Sequence, residues 1–123
     1  MDFATAVRTV ILKRYADFQG RASRSEFWWF TLFAFLLNIV LQVITGLVPI
    51  LGIIAIVIML AVLIPSIAVA VRRLHDIGKS GWWYLLVFIP LIGALVLIYW
   101  FIQPGQSEDN QWGANPLGAG HGH

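Results

Sequence analysis

His75 and Asp76 stand side by side in the stretch RRLHDIGKSGWW, and they are the one pair in this sequence with the residue types for general acid–base work. Adjacent helical residues point about 100° apart, so the two cannot readily chelate one metal ion or form a dyad. Pairing with nearby arginines is the expected role for both. Ser23 and Glu26, just ahead of an apolar run, carry the spacing of a capping box. In that arrangement the hydroxyl accepts from the Glu26 N–H and the carboxylate reaches back to the Ser23 N–H. No Ser/His/Asp arrangement, phosphate-cradling glycine loop or catalytic carboxylate pair is present, and there is no cysteine. The reading is therefore a non-enzyme with no cofactor and no metal site. His121 and His123 end a glycine-rich tail that fixes no ligand geometry, and they are read as solvated.

The basic residues are the other candidates. All eight Lys and Arg fall into two clusters, Arg8, Lys13, Arg14, Arg21 and Arg24 before position 25, and Arg72, Arg73 and Lys79 in one later stretch. Arg21, Arg24, Arg72, Arg73 and Lys79 are expected to form a belt that engages anionic lipid headgroups or an acidic partner, at on the order of 1 kcal/mol per basic group. Glu26, Asp76 and His75 are expected to support that belt by ion pairing. A net charge of +2 is too small and too scattered for a nucleic-acid binder.

These side chains must be positioned by an apolar scaffold. The 123 residues are 59% hydrophobic and 11% charged, against about 25% charged in soluble domains, so the chain cannot cover the outside of a water-soluble globule. The length allows one domain. From Phe27 to Val71 there are 45 residues without a charge. As helix they would extend roughly 67 Å, about twice the thickness of a bilayer core, so the run must turn back. Gly46-Leu47-Val48-Pro49 is the natural turn. This predicts an all-α membrane protein with transmembrane helices over about 27–45, 49–71 and 82–102. Residues 1–102 form a single membrane domain, followed by a flexible polar tail, 103–123. Two crossings bring both basic clusters to one side, cytoplasmic by the positive-inside rule, and a third sends the tail to the periplasm or exterior. Asp2, Arg8, Lys13 and Arg14 interrupt any secretory signal.

Residues 1–20 read as an amphipathic helix, with Phe3, Val7, Val10, Ile11, Tyr15 and Phe18 at helical spacing. It lies in the membrane interface or packs on the protein's own cytoplasmic loop. A weak internal echo, Val48-Pro49-Ile50-Leu51-Gly52 against Ile89-Pro90-Leu91-Ile92-Gly93, offers an alternative to the third span, with residues 90–93 as the tip of a re-entrant hairpin. On span one, Thr31, Asn38, Gln42 and Thr45 share a helical face that should point at another helix. Span two offers Gly52, Ala55, Ser66 and Ala70 for close approach. Helix packing within the unit explains this stripe. A small oligomeric channel or transporter component, a homo-oligomer lined by Asn38, Gln42 and Thr45, is the second functional reading.

FQGRASRSEFWWF before the first span, RRLHDIGKSGWW after the second, and the PLIG kink leading to NQWGANP together resemble the domain of unknown function 805 family, the YhaH-like small bacterial inner-membrane proteins. The resemblance runs from about Tyr15 to Leu117. It implies a bacterial inner-membrane location and a cytoplasmic N-terminus, and it brings no catalytic or binding role to any residue. The tail departs from the family pattern at Gln106, Gln111, Trp112 and Ala114.

Overall fold

Helix is the natural state of this chain, because a backbone in hydrocarbon must satisfy its own N–H and C=O groups. The computed structural model describes residues 1–116, and every regular element among them is helical. Two long helices form the frame. Helix α2, Arg24–Leu47, starts at Ser23, whose hydroxyl accepts from the Glu26 N–H at 3.3 Å. Helix α3, Gly52–Asp76, follows a short 3-10 turn, Pro49–Leu51. At 24 and 25 residues, each is about 36 Å long and exceeds a bilayer core of about 30 Å. Only about a tenth of each apolar window is buried, unlike the core helix of a soluble protein. Gly52 brings the two helices together at the turn end, where an added Cβ would meet Thr45 Cγ2 at 3.1 Å.

The amphipathic N-terminal segment is shorter than residues 1–20. Asp2 caps helix α1, Phe3–Arg8, by accepting from the Thr5 N–H, and a π-turn, Thr9–Lys13, ends it. Its inner face packs on the protein: Ala6 and Val10 are fully buried, and Phe3 meets Trp29 and Phe33 at ring-centroid distances of 5.8 and 6.4 Å. Arg8, Leu12 and Lys13 face outward.

The third apolar run does not cross as one helix. Ser80 caps a 3-10 arm, Gly81–Phe88, the chain reverses at Ile89-Pro90-Leu91, and helix α4, Ile92–Ile102, returns. At the tip the Ile92 N–H donates to the Pro90 carbonyl at 2.7 Å across Leu91, whose φ of 63° and ψ of −63° make a tight γ-turn. Gly93 permits the reversal. A Cβ there would lie 1.7 Å from the Leu86 carbonyl oxygen, so the returning helix presses on the outgoing arm. Farther from the tip, Trp83 and Trp100 meet edge to face at 5.7 Å. Eight 3-10 residues and eleven α residues each rise about 16 Å, so the arms match in length and neither crosses a bilayer alone. The hairpin reading with 90–93 at the tip replaces the single span over 82–102. The cause is local: Pro90 supplies no donor and Gly93 admits close backbone approach.

The end of α4 therefore returns to the start of α2 and the end of α3. The expectation that residue 103 onward leaves on the opposite side is not supported by this geometry. Residues 103–116 are also held in place: the Gln106 N–H donates to the Asp76 carbonyl at 2.8 Å, and a Cβ on Gly105 would meet Asp76 Oδ2 at 2.0 Å. His121 and His123 lie outside the described residues.

Candidate functional site

The largest fully buried side chains are Arg72 and Arg73, while Leu47 and Ile50 are both 77% exposed. This inversion suits a molecule whose outer surface meets hydrocarbon and whose polar groups must find partners within it. Guanidinium groups suit the task because five N–H donors leave each in a fixed fork and can bridge several segments.

Arg21, from the loop before α2, donates through Nε to Asp76 Oδ1 at 3.0 Å and through Nη1 to the Glu108 and Gly113 carbonyls at 2.9 and 3.3 Å. Its Nη2 donates to the Asp76 and Gln106 carbonyls. Arg73 donates to Asp76 Oδ2 at 2.6 Å, to the Phe101 carbonyl at 3.2 Å and to the Gln103 carbonyl, tying α3 to the end of the hairpin. Arg72 pairs with Glu26 of α2 and donates through Nε to the Asp17 carbonyl at 3.0 Å. Its Nη2 has no partner among the described residues. The Glu26 carboxylate is thus an ion-pair partner across the two long helices, in place of the reciprocal half of a capping box.

Asp76 accepts from two arginines at once, and His75 has different partners from those expected. Its Nδ1 lies 2.8 Å from the Gly20 carbonyl, its ring stacks on Trp112 at 4.6 Å and 5°, and its own carbonyl accepts from Asn110 Nδ2 at 2.9 Å. Asp17, in the loop below, is pushed up by burial, but the Gln19 N–H and the Arg14 guanidinium outweigh this and hold its carboxyl below the usual range.

Of the five expected belt residues, three are buried and spent on the fold, whereas Arg24 and Lys79 stay nearer the surface. Arg24 Nη1 donates to the Ile102 carbonyl at 3.1 Å, and Lys79 Nζ lies 4.6 Å from the centre of the Trp100 ring. Both therefore sit at the last turn of α4. Trp112, Gln106 and Asn110 also belong to this end, and sequence reasoning missed them. The available signal was the polar string NQWG after an apolar run. Most of what the arginines touch is backbone, which no residue type announces. No cluster of metal-ligating side chains occurs among the described residues.

The polar stripe lies elsewhere. Asn38, Gln42 and Thr45 line a cleft of about 770 Å³ between α2 and α3, with Gly52, Ala55 and Met59 on the opposite wall. Gln42 Nε2 donates to Asn38 Oδ1 at 3.3 Å.

Two apolar helices of spanning length, an apolar hairpin and a lipid-like outer surface define a small membrane protein. The family described as protein of unknown function (DUF805) matches residues 15–114, and the chain belongs to that family. It is 41% identical over 107 residues to inner membrane protein YhaI of Escherichia coli K12, covering 86% of this chain and 91% of the relative. It is 37% identical over 115 residues to inner membrane protein YhaH of the same organism, covering 86% and 92%. No solved structure matches.

Proposed function

We propose that this is a non-enzymatic inner-membrane protein whose arginine-rich end faces the cytoplasm and holds anionic lipid headgroups through Arg24 and Lys79. One observation carries the reading: these two cations, one from the start of α2 and one from the link between α3 and the hairpin, converge on the last turn of α4 and each makes a single contact there. Arg24 has further N–H donors and Lys79 further ammonium protons to offer a phosphate. Arg21, Arg72 and Arg73 serve the same end indirectly, by fixing the loop, the helices and the hairpin around it. Arg8 and Lys13 on the outward face of the N-terminal segment add to the positive surface.

Native mass spectrometry of the protein released from phosphatidylglycerol-containing membranes tests this. An Arg24→Gln/Lys79→Gln variant should lose roughly thirtyfold in retained anionic lipid, from about 1 kcal/mol per cation. Retention equal to that of the unaltered protein would sink the proposal.

The cleft favours a second reading, a pore component formed when copies assemble with Asn38, Gln42 and Thr45 lining the path. Converting the three to apolar residues should then abolish ion flux in reconstituted vesicles without affecting insertion. Absence of flux in the unaltered protein removes that reading.

A further inference from the structure

A second site lies along α3, and neither Arg24 nor Lys79 is among its lining residues. Ile67, Val71 and His75 fall on one face of the helix at successive intervals of four. With Ser80, Trp82 and Leu85 at the hairpin's first arm and Phe18, Gln19 and Trp112, they line an open pocket of about 570 Å³. That volume is within the range of small-molecule sites, about 300–1,000 Å³.

The lining sets the chemistry of an occupant. No Asp, Glu, Lys or Arg contributes to it, so a charged head finds no counter-charge. His75 is 6% exposed. A carbonyl only accepts, so the Gly20 oxygen 2.8 Å away fixes the proton of the neutral ring on Nδ1. Nε2 is then a lone-pair acceptor, and it has no partner among the described residues. The Ser80 oxygen accepts from the Trp82 N–H, which leaves its own proton to donate. An occupant therefore donates one hydrogen bond to His75 and accepts one from Ser80, as a hydroxyl does. Aromatic rings at Phe18, Trp82, Tyr84 and Trp112 surround this polar end and favour a flat ring over a glycerol head. From there Ile67 and Val71 run about 12 Å along α3, an apolar strip for a tail.

We propose that this pocket binds a membrane-borne hydroxylated aromatic ring carrying an aliphatic tail, a hydroquinone-type amphiphile, with His75 Nε2 accepting from its hydroxyl. The site is independent of the headgroup reading, since neither Arg24 nor Lys79 lines it.

The probes are a decyl-substituted 1,4-benzohydroquinone, the corresponding benzoquinone and monodecanoylglycerol, each added to the full chain in detergent before native mass spectrometry. The chain has no cysteine, so the reductant that keeps the hydroquinone reduced changes no disulfide. The hydroquinone adduct should exceed each of the other two at least tenfold, because the quinone has no proton to donate and the ester has no ring. His75→Phe keeps a ring against Trp112 but removes the acceptor, and it should lose the adduct tenfold or more. Leu85→Trp fills the pocket from its exposed rim, away from the arginine network, and should lose it as well. The Arg24→Gln/Lys79→Gln variant should bind the hydroquinone normally, which separates failure of this site from failure of the headgroup reading. No adduct with the unaltered protein, equal adducts for all three probes, or adducts unchanged by both pocket substitutions would each overturn the proposal.

Discussion

Asp76 compensates Arg21 and Arg73 together, at 3.0 and 2.6 Å, and all three side chains are nearly or wholly buried. A buried ion pair adds little net stability over well-packed apolar residues, yet removing one partner leaves an uncompensated charge. Asp76→Asn strands two guanidiniums, so it should be the most damaging single change in the cluster, on the order of 3–5 kcal/mol. Glu26→Gln strands Arg72 alone and should cost less than Asp76→Asn. Arg24→Gln, at the surface, should stay within about 0.5 kcal/mol. Unfolding titrations with SDS in mixed micelles rank the three, and an Asp76→Asn protein as stable as Arg24→Gln would remove the network from the fold's account. Arg72→Lys should also destabilise, because a single ammonium cannot reproduce the fork that reaches both Glu26 and the Asp17 carbonyl. The positions of these charges were plain in the sequence, but their direction was not. Arginines that anchor topology and arginines buried in ion pairs occupy the same places in a membrane sequence, next to the ends of spans.

At the scale of elements, Pro65 sits inside α3 and supplies no N–H, so the Ala61 carbonyl one turn earlier loses its helical partner. The Tyr15 hydroxyl donates to that carbonyl, which makes the N-terminal segment a brace for a helix defect. An unmet carbonyl facing hydrocarbon is costly. Tyr15→Phe should therefore destabilise by about 1–2 kcal/mol, an effect that shrinks when Pro65→Ala restores the helical bond. A double-mutant cycle by SDS unfolding reads the coupling directly. Additive effects would show that Tyr15 acts only by packing. The hairpin tip gives the opposite sign: Leu91 holds a positive φ that suits glycine, so Leu91→Gly should leave the fold at least as stable, whereas Gly93→Ala should disrupt it through the Leu86 contact. The same methods measure both. Spans one and two were legible because 45 uncharged residues admit little else, and the helices begin and end within a few residues of the expected places. The third run misled because hydropathy counts length and is blind to direction. A 21-residue apolar stretch crosses once or folds back on itself with the same composition, and Pro90 with Gly93 decided between them.

At the scale of the whole molecule, apolar packing gives helices in lipid little reason to associate, since acyl chains are as apolar as leucine. The exposed Leu47, Ile53, Val57 and Leu60 fit such surroundings, and the buried core gathers Phe27 and Phe30 of α2 with Val62, Val69, Ala70 and Leu74 of α3. Specificity must come from the arginine-rich end, where one cluster gathers the N-terminal loop, both long helices, the hairpin and residues 103–113. This brings distant segments to one end of the molecule. Arg21 alone donates to the Gln106, Glu108 and Gly113 carbonyls, so residue 108 has to lie at the same end as residue 21, and the Pro49–Leu51 turn at the other. With no native cysteine to interfere, Leu12→Cys, Ile50→Cys and Glu108→Cys can be made singly at exposed positions. A membrane-impermeant maleimide applied to sealed vesicles of known orientation should label positions 12 and 108 from one face and position 50 from the other. Labelling of 108 together with 50 would restore the third crossing and dissolve the cluster, because Arg21 and its carbonyl partners at Gln106, Glu108 and Gly113 would then be separated by the full thickness of the bilayer.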